Sequence, residues 1–355
     1  MFSCHAATAS PLILEEAARG FAARARCNMI GVDSPSRTHV EGIIVKTRQK
    51  ALSIATIVLF ALSAGLARAQ RSDGPSRGRG TPKPVTVPVT IKLRGKPEEM
   101  QTVDLLVKED GEVQQNLSIR RPADNPISLA ILLQDDLVSS IGTEVKGIAG
   151  FVRRLPNGSR VMIGYIRAGS LDLRRKFTPD LERAASGLRP PLGLASAGAF
   201  NPYVEIIEAL RRFDSQPAGR RALIVVSDGL DVSRSLDSSP TQSLDLQRAI
   251  TEAQRRSVAI YSIYAPSAAS VPQLLAANGQ SCLERLSDET GGAAFFQGTG
   301  APVSFDPFLR EIDASLGRQI ALTYLSTHTG KGFHRLDIKP IQPNFEVRAP
   351  AGFSR

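Results

Sequence analysis

The chain has 355 residues, 42% hydrophobic and 22% charged, with 5% aromatics, three cysteines and a formal net charge of +10. That composition suits one large globular domain plus a smaller one and excludes wholesale disorder. Three cysteines exclude a disulfide scaffold, and a modest basic excess with few aromatics and no reader motif argues against nucleic acid as partner.

Lys46-Thr-Arg-Gln-Lys50 precedes an apolar run, Ala51 to Leu66, that ends in Ala67-Arg68-Ala69. Basic, apolar, then small-x-small is the order of a secretory signal peptide, here residues 45–69, and the run is short for a spanning helix. Export follows, to the periplasm or the cell exterior, with no transmembrane segment after cleavage. Residues 1–44 stand in front of this signal and read as an over-extended start, the true one lying near Val45. They hold Cys4 and Cys27, so an exported chain from Gln70 carries Cys282 alone and has no internal disulfide. The first 69 residues contribute +4 of the charge, leaving +6 for the rest.

Residues 70–84 are rich in Gly, Pro, Ser and charge and read as a flexible leader. From Val85 to Asp124 β-branched residues alternate with polar ones, with turn signals at Arg94 to Pro97 and Glu109-Asp-Gly111, so a small β region of antiparallel strands is expected.

Ile127 to Ser140 is the strongest signal: six apolar residues in seven positions, then Asp135, Asp136, Ser139 and Ser140. A strand buried on both faces that ends in a polar loop fits it, and the three-to-four spacing of Ile141, Val145, Ile148, Val152 and Leu155 starts a helix. Arg160 to Ile166 reads as another buried strand, and Leu171 to Phe177 as an antiparallel edge strand. Thr178 is the expected N-cap of a helix with Pro179 in its first position. Residues 190–201 form a loop and 202–213 a helix. Arg220 to Gly229 is the second strong strand, closed by Asp228. A helix over 243–256, a strand over 258–265, a short helix over 282–290, a strand over 293–297 and a helix over 305–319 complete a domain of residues 126–319. Strands and helices alternating in this way imply a mostly parallel α/β sheet with helices on both faces. From Ile320 to the end at Arg355 the texture is strands and turns, expected to pair with residues 85–124.

In a parallel sheet Asp135 and Asp136 would open on the same edge as Asp228 and Asp231, and carboxylates with hydroxyls are the oxygen set that Mg²⁺ or Ca²⁺ accepts. Here the sequence resembles the von Willebrand factor type A (VWFA) domains, in particular VWFA-related proteins exported by some bacteria. Asp135-Asp-Leu-Val-Ser139 is similar to their first metal-site motif, Asp-x-Ser-x-Ser, and Val225-Val-Ser-Asp228-Gly resembles their closing aspartate. Leu286-Ser-Asp-Glu-Thr-Gly-Gly-Ala-Ala-Phe295 is similar to their late helix-to-strand turn. The resemblance covers residues 85–350 and implies a Rossmann-like fold with one antiparallel edge strand and a small β unit built from the flanking segments. It also implies protein binding at the carboxyl edge of the sheet.

Leu137 stands where the first metal serine belongs, and no threonine lies between Thr178 and Thr241, so the second loop offers only Ser196 or Asn201. The resemblance therefore implies a degenerate metal site, with Asp135, Ser139 and Asp228 as ligands if Mg²⁺ or Ca²⁺ binds at all, and no cofactor is expected. The partner-binding set is Asp135, Asp136, Ser139, Ser140, Ser196, Asn201, Asp228 and Asp231. The expected function is a non-catalytic adhesion or interaction module for a protein ligand. The alternative is a metal-dependent enzyme using Asp135 and Asp228. His328 and His334, in the turn-rich tail, read as surface residues, and Cys282 as a buried thiol or one activated by a helix N-terminus. No nucleophile elbow, phosphate loop or dinucleotide fingerprint is present.

Overall fold

A computed structural model describes residues 81–93, 104–167, 169–194, 201–233, 239–269 and 271–355. The segments expected to be an over-extended start and a signal peptide, most of the expected leader, the expected turn at Arg94 to Pro97 and Ser196 lie outside the described residues.

Strand β5 (Ser128–Gln134) is buried at all seven positions, as a near-continuous apolar run requires of a central parallel strand. It pairs in parallel with β6 (Arg160–Arg167) on one side and β8 (Arg221–Ser227) on the other. β9 (Ala259–Tyr264) and β10 (Ala294–Phe295) extend the sheet beyond β8, and β7 (Ser170–Thr178) closes the other edge antiparallel to β6. The order is β10-β9-β8-β5-β6-β7.

Alternate side chains of β5 enter two cores. Leu129, Ile131 and Leu133 pack with α1 (Val145–Arg153), α2 (Leu181–Ala185) and α6 (Asp306–Gly317) on one face. Ala130 and Leu132 pack with α3 (Pro202–Arg211), α4 (Leu244–Arg256) and α5 (Gln273–Thr290) on the other. Each fully buried Leu or Ile contributes about 1.5–3 kcal/mol. This is the expected VWFA-like architecture, a mostly parallel sheet with an antiparallel edge strand between two helical layers. The order reverses between β5 and β8, so the crevice outside their carboxyl ends is the topological switch point.

The flanking segments form the small β unit. β1 (Lys83–Leu93) runs antiparallel to β11 (Gln319–Ser326) from Lys83 opposite Ser326 to Thr90 opposite Gln319. β4 (Gln115–Arg120) and β13 (Phe345–Arg348) complete that sheet in the order β13-β1-β11-β4. A second sheet has the order β14-β12-β2-β3, from β2 (Leu105–Glu109), β3 (Glu112–Val113), β12 (Phe333–Pro340) and β14 (Gly352–Ser354). Val87, Val89, Val107, Leu322, Tyr324 and Leu336 fill the core they share. Asp110 and Gly111 turn the β2–β3 hairpin with φ of 51° and 87°, the paired positive values of a type I′ turn.

Three local expectations need correction. The cap of α2 is Asp180, whose Oδ1 accepts the Arg183 N–H, while Thr178 Oγ1 accepts the Asp180 N–H two residues too early to cap it. Helix α5 begins at Gln273 and not at Cys282. The Asn278-Gly279 pair reads locally as a turn, but Gly279 is the point at which the helix backbone lies against Asp228, and that packing overrides propensity. β10 has two residues where five were expected, and β14 escaped notice because three residues carry no readable period.

Candidate functional site at the carboxyl edge of the sheet

Gln134, the last residue of β5 and fully buried, ties the two central strand ends together. Its Oε1 accepts the Ser227 hydroxyl (2.5 Å) and the Asp228 N–H (3.1 Å), and its Nε2 donates to Asp136 Oδ1 (2.8 Å). The Asp136 carbonyl accepts the Ala268 N–H (2.7 Å), and the Pro266 carbonyl accepts the Val138 N–H (3.1 Å), so the loop after β9 braces the loop after β5.

Asp228 is 4% exposed. Burial raises its pKa to about 6, against the pull of the Leu230 N–H (3.0 Å) and with the help of the Asp136 charge. Gly229 follows with φ of 71°, and a Cβ there would collide with the Gly279 carbonyl. The Tyr203 hydroxyl, from α3, donates to the Gly229 carbonyl (2.6 Å).

Asp135 faces elsewhere. Arg189, in the loop after α2, donates from Nη1 to Oδ1 (2.6 Å) and from Nη2 to Oδ2 (2.9 Å), a two-pronged clamp. The Leu192 N–H adds a bond to Oδ1 (3.1 Å), and Arg167 Nε stands 3.0 Å from Oδ2. Arg189 is itself fixed. Its guanidinium lies 4.1 Å over the Tyr165 ring, and the Tyr165 hydroxyl accepts the Arg189 N–H (2.6 Å) and donates to the Arg189 carbonyl (2.5 Å). Burial raises the Asp135 pKa, but the Arg189 bonds, the Leu192 N–H and the Arg167 charge outweigh it and hold the carboxyl below its ordinary 3.8.

The expected site residues thus divide between separate settings. Asp136 and Asp228 share the Gln134 network. Ser139 and Ser140 are exposed in a 3₁₀ turn, with Ser139 beside Gly193. Asn201 caps α3 through the Tyr203 N–H, and its Nδ2 donates to Asp245 (2.8 Å) and Ser233 (3.3 Å). Asp231 accepts from Ser233 Oγ (2.6 Å) and Ser243 Oγ (3.0 Å), so Asn201 and Asp231 belong to a second polar cluster. Sequence reasoning missed Tyr165, Arg167 and Arg189, and took Gln134 only as the start of the loop after β5. The available hint was arginine at the end of β6 and in the loop after α2.

The Asp135, Ser139, Asp228 set does not fit a divalent ion. Both oxygens of Asp135 are engaged by guanidinium, and Asp228 is turned into its own loop, where it accepts the Leu230 N–H. Cys282 lies inside α5, 0% exposed, with burial raising its pKa to about 11, which removes the reading as a thiol activated by a helix N-terminus. Among the described residues no helix is long and apolar enough to cross a membrane.

No protein-family model matches the chain, and no curated protein does. Solved structures similar to it include an aerotolerance-related membrane protein from Bacteroides fragilis, 13% identical over 54% of this chain and 98% of that one, with a TM-score of 0.38. BatB from Bacteroides thetaiotaomicron is 14% identical over 53% and 98%, with a TM-score of 0.38. A von Willebrand factor type A protein from Catenulispora acidiphila is 11% identical over 77% and 73%, again with a TM-score of 0.38. Superpositions at that level add no argument of their own. The fold is VWFA-like on its strand order, its two helical layers and the acids at its switch point.

Proposed function

We propose that this chain is an exported, non-catalytic protein-binding module that meets its ligand at the carboxyl edge of the six-stranded sheet without a divalent ion. The observation that carries the reading is the clamp of Arg189 on Asp135, which supplies from within the chain the positive charge an ion would bring. The loops after β5 and β8 are braced by buried hydrogen bonds, so the rim presents a preorganised surface and little ordering entropy remains for binding to offset. Asp228, whose carboxyl burial raises toward neutrality, is buried against its own loop, which speaks against a role as an exposed catalytic base.

The test is a photo-crosslinker placed at Val138 in the full-length protein in its native cells. A specific protein should be captured equally with and without EDTA, and Mg²⁺ or Ca²⁺ should leave the melting temperature unchanged. Capture abolished by EDTA, or a saturable rise in melting temperature with Mg²⁺, would show a metal-dependent site and overturn the reading.

A further inference from the structure

At the opposite end of the parallel strands lies a buried charge with no counter-charge. Arg220 immediately precedes β8 and is 3% exposed. Its guanidinium donates to the carbonyls of Asn125 (3.0 Å), Pro122 (3.4 Å) and Leu316, all neutral acceptors, and among the described residues no carboxylate lies within ion-pair distance. Burial lowers its pKa to about 10, and the one charge partner that opposes this shift is the Tyr261 hydroxyl. Arg220 Nε has no acceptor among the described residues.

The polar groups around Tyr261, most of them able to donate, are in the same condition. Thr90 pairs across the sheet with Gln319 on β11 and with Arg348 on β13, so these three stand in one row. Val87, Val89, Ile91, Ile320 and Leu322 point into the β-unit core, so by strand alternation Thr90 and Gln319 face the other way, toward the six-stranded sheet. There Thr90 and Gln319 stand near enough to the Tyr261 hydroxyl on β9 to act on it through hydrogen bonding, though none of the three is settled into a well-formed bond. Thr90 Oγ1, Tyr261 OH and Gln319 Nε2 and Oε1 are all buried without a partner among the described residues. Gln319 and Tyr261 are 0% exposed and Thr90 8%.

We propose that the row Thr90–Gln319, with Tyr261 and Arg220, binds one small monovalent anion, chloride by size and charge, between the β unit and the parallel sheet. Guanidinium Nε–H can only donate, two hydroxyls and an amide NH₂ can turn to donate, and the buried charge beside them is the single guanidinium of Arg220, the second cation that acts on Tyr261, Arg348, being exposed to solvent. Water would satisfy the donors and leave that charge buried and uncompensated. A multiply charged oxyanion would exceed it. The site thereby joins the segments before and after the parallel sheet to its interior through an ion.

The experiment is thermal unfolding of the whole protein in sodium chloride against sodium gluconate at matched ionic strength, with Thr90→Val and Tyr261→Phe as variants that remove a donor and keep the buried charge. The expected result is a melting temperature several degrees higher in chloride, saturating with concentration, with at least half of that gap lost in either variant. Crystals grown in bromide should show anomalous density beside Arg220 Nε. Equal melting in the two salts together with no bromide at Arg220 would overturn the proposal. So would a chloride effect that both variants leave intact, which puts the ion elsewhere.

Discussion

Arg189 holds both carboxylate oxygens of Asp135 from 54 residues away, at 2.6 and 2.9 Å. Asp135 keeps 6% of its side-chain surface and Arg189 26%, so the pair is desolvated on one side and wetted on the other. Removing the guanidinium leaves a buried carboxylate with Arg167 as its remaining cation. Arg189→Ala is therefore expected to destabilise by about 2–4 kcal/mol, below the full cost of breaking a buried pair because Arg189 is partly hydrated. Urea unfolding measures it. The Asp135→Asn, Arg189→Ala double variant should recover part of the loss, since no unpaired charge then remains. Because the folded pKa of Asp135 is depressed, its contribution is present above 3.8 and lost as pH falls through the folded value, so wild type and Arg189→Ala should converge in acid.

Gly279 lies inside α5, where helix propensity alone predicts that alanine gains about 1 kcal/mol. The neighbour a Cβ would strike is the backbone carbonyl of Asp228, which cannot swing aside as a side chain would. Gly279→Ala is expected to reverse the sign, costing about 1–3 kcal/mol, and to shift the Asp228 loop. Gly298, at φ of 63° with open space around it, is the control for strain without collision. A Gly279→Ala variant more stable than wild type in denaturant unfolding would remove the close approach as an explanation for that glycine.

What was legible in the sequence follows from how far each signal reaches. β5 announced itself because six apolar residues in seven positions, closed by two acids, read as a strand buried on both faces, and its acids then located the switch point. The antiparallel edge of β7 and the turn at Asp110–Gly111 were legible for the same reason, being set by residues within a few positions. The Arg189 clamp was not, because nothing near Arg189 distinguishes a guanidinium that pairs across 54 residues from one in water. His334 was misread as a surface residue on the same account: it is 8% exposed and its partner Asp110 is 224 residues away. The resemblance gave the fold and a degenerate metal site, but nothing in it placed Arg189 against Asp135.

Asp228 is an acid whose folded pKa, about 6, exceeds its ordinary 3.8, so ionising it costs the folded state. Stability should fall as pH rises from about 4 to 6 and level off above, by an amount on the order of 3 kcal/mol. An asparagine carbonyl can still accept the Leu230 N–H that Asp228 Oδ1 accepts at 3.0 Å. Asp228→Asn is accordingly expected to match wild type near pH 4 and exceed its stability above pH 6. Urea unfolding at several pH values checks it, and a variant equally destabilised at every pH would mean that the carboxylate is held ionised by a partner.

His334 has acceptors at both ring nitrogens, Asp110 Oδ2 at 2.8 Å from Nδ1 and the Gly330 carbonyl at 2.9 Å from Nε2, and only the doubly donating imidazolium satisfies both. Glu109 Oε1 stands 3.8 Å from Nδ1, and the His328 ring lies 5.9 Å away, itself facing Glu112 at 3.7 Å. Burial opposes the charge on His334, and the Gly330 carbonyl, Asp110 and Glu109 outweigh it, raising the pKa above 6.5. A raised folded pKa places the stabilisation fully below 6.5 and removes it as pH climbs through the folded value. Asp110, lowered by the same pair, loses its share at the acid end instead. His334→Gln, which keeps one donor and no charge, is expected to cost about 1 kcal/mol at pH 6 and little at pH 9, because Asp110 is more than a third exposed and the pair is partly screened. Hydrogen exchange of the β2–β3 hairpin and the start of β12 should accelerate in the variant at pH 6, and in wild type at pH 9. An NMR titration in which the His334 ring loses its proton below pH 6.5 would contradict the doubly donating geometry and the stability profile with it.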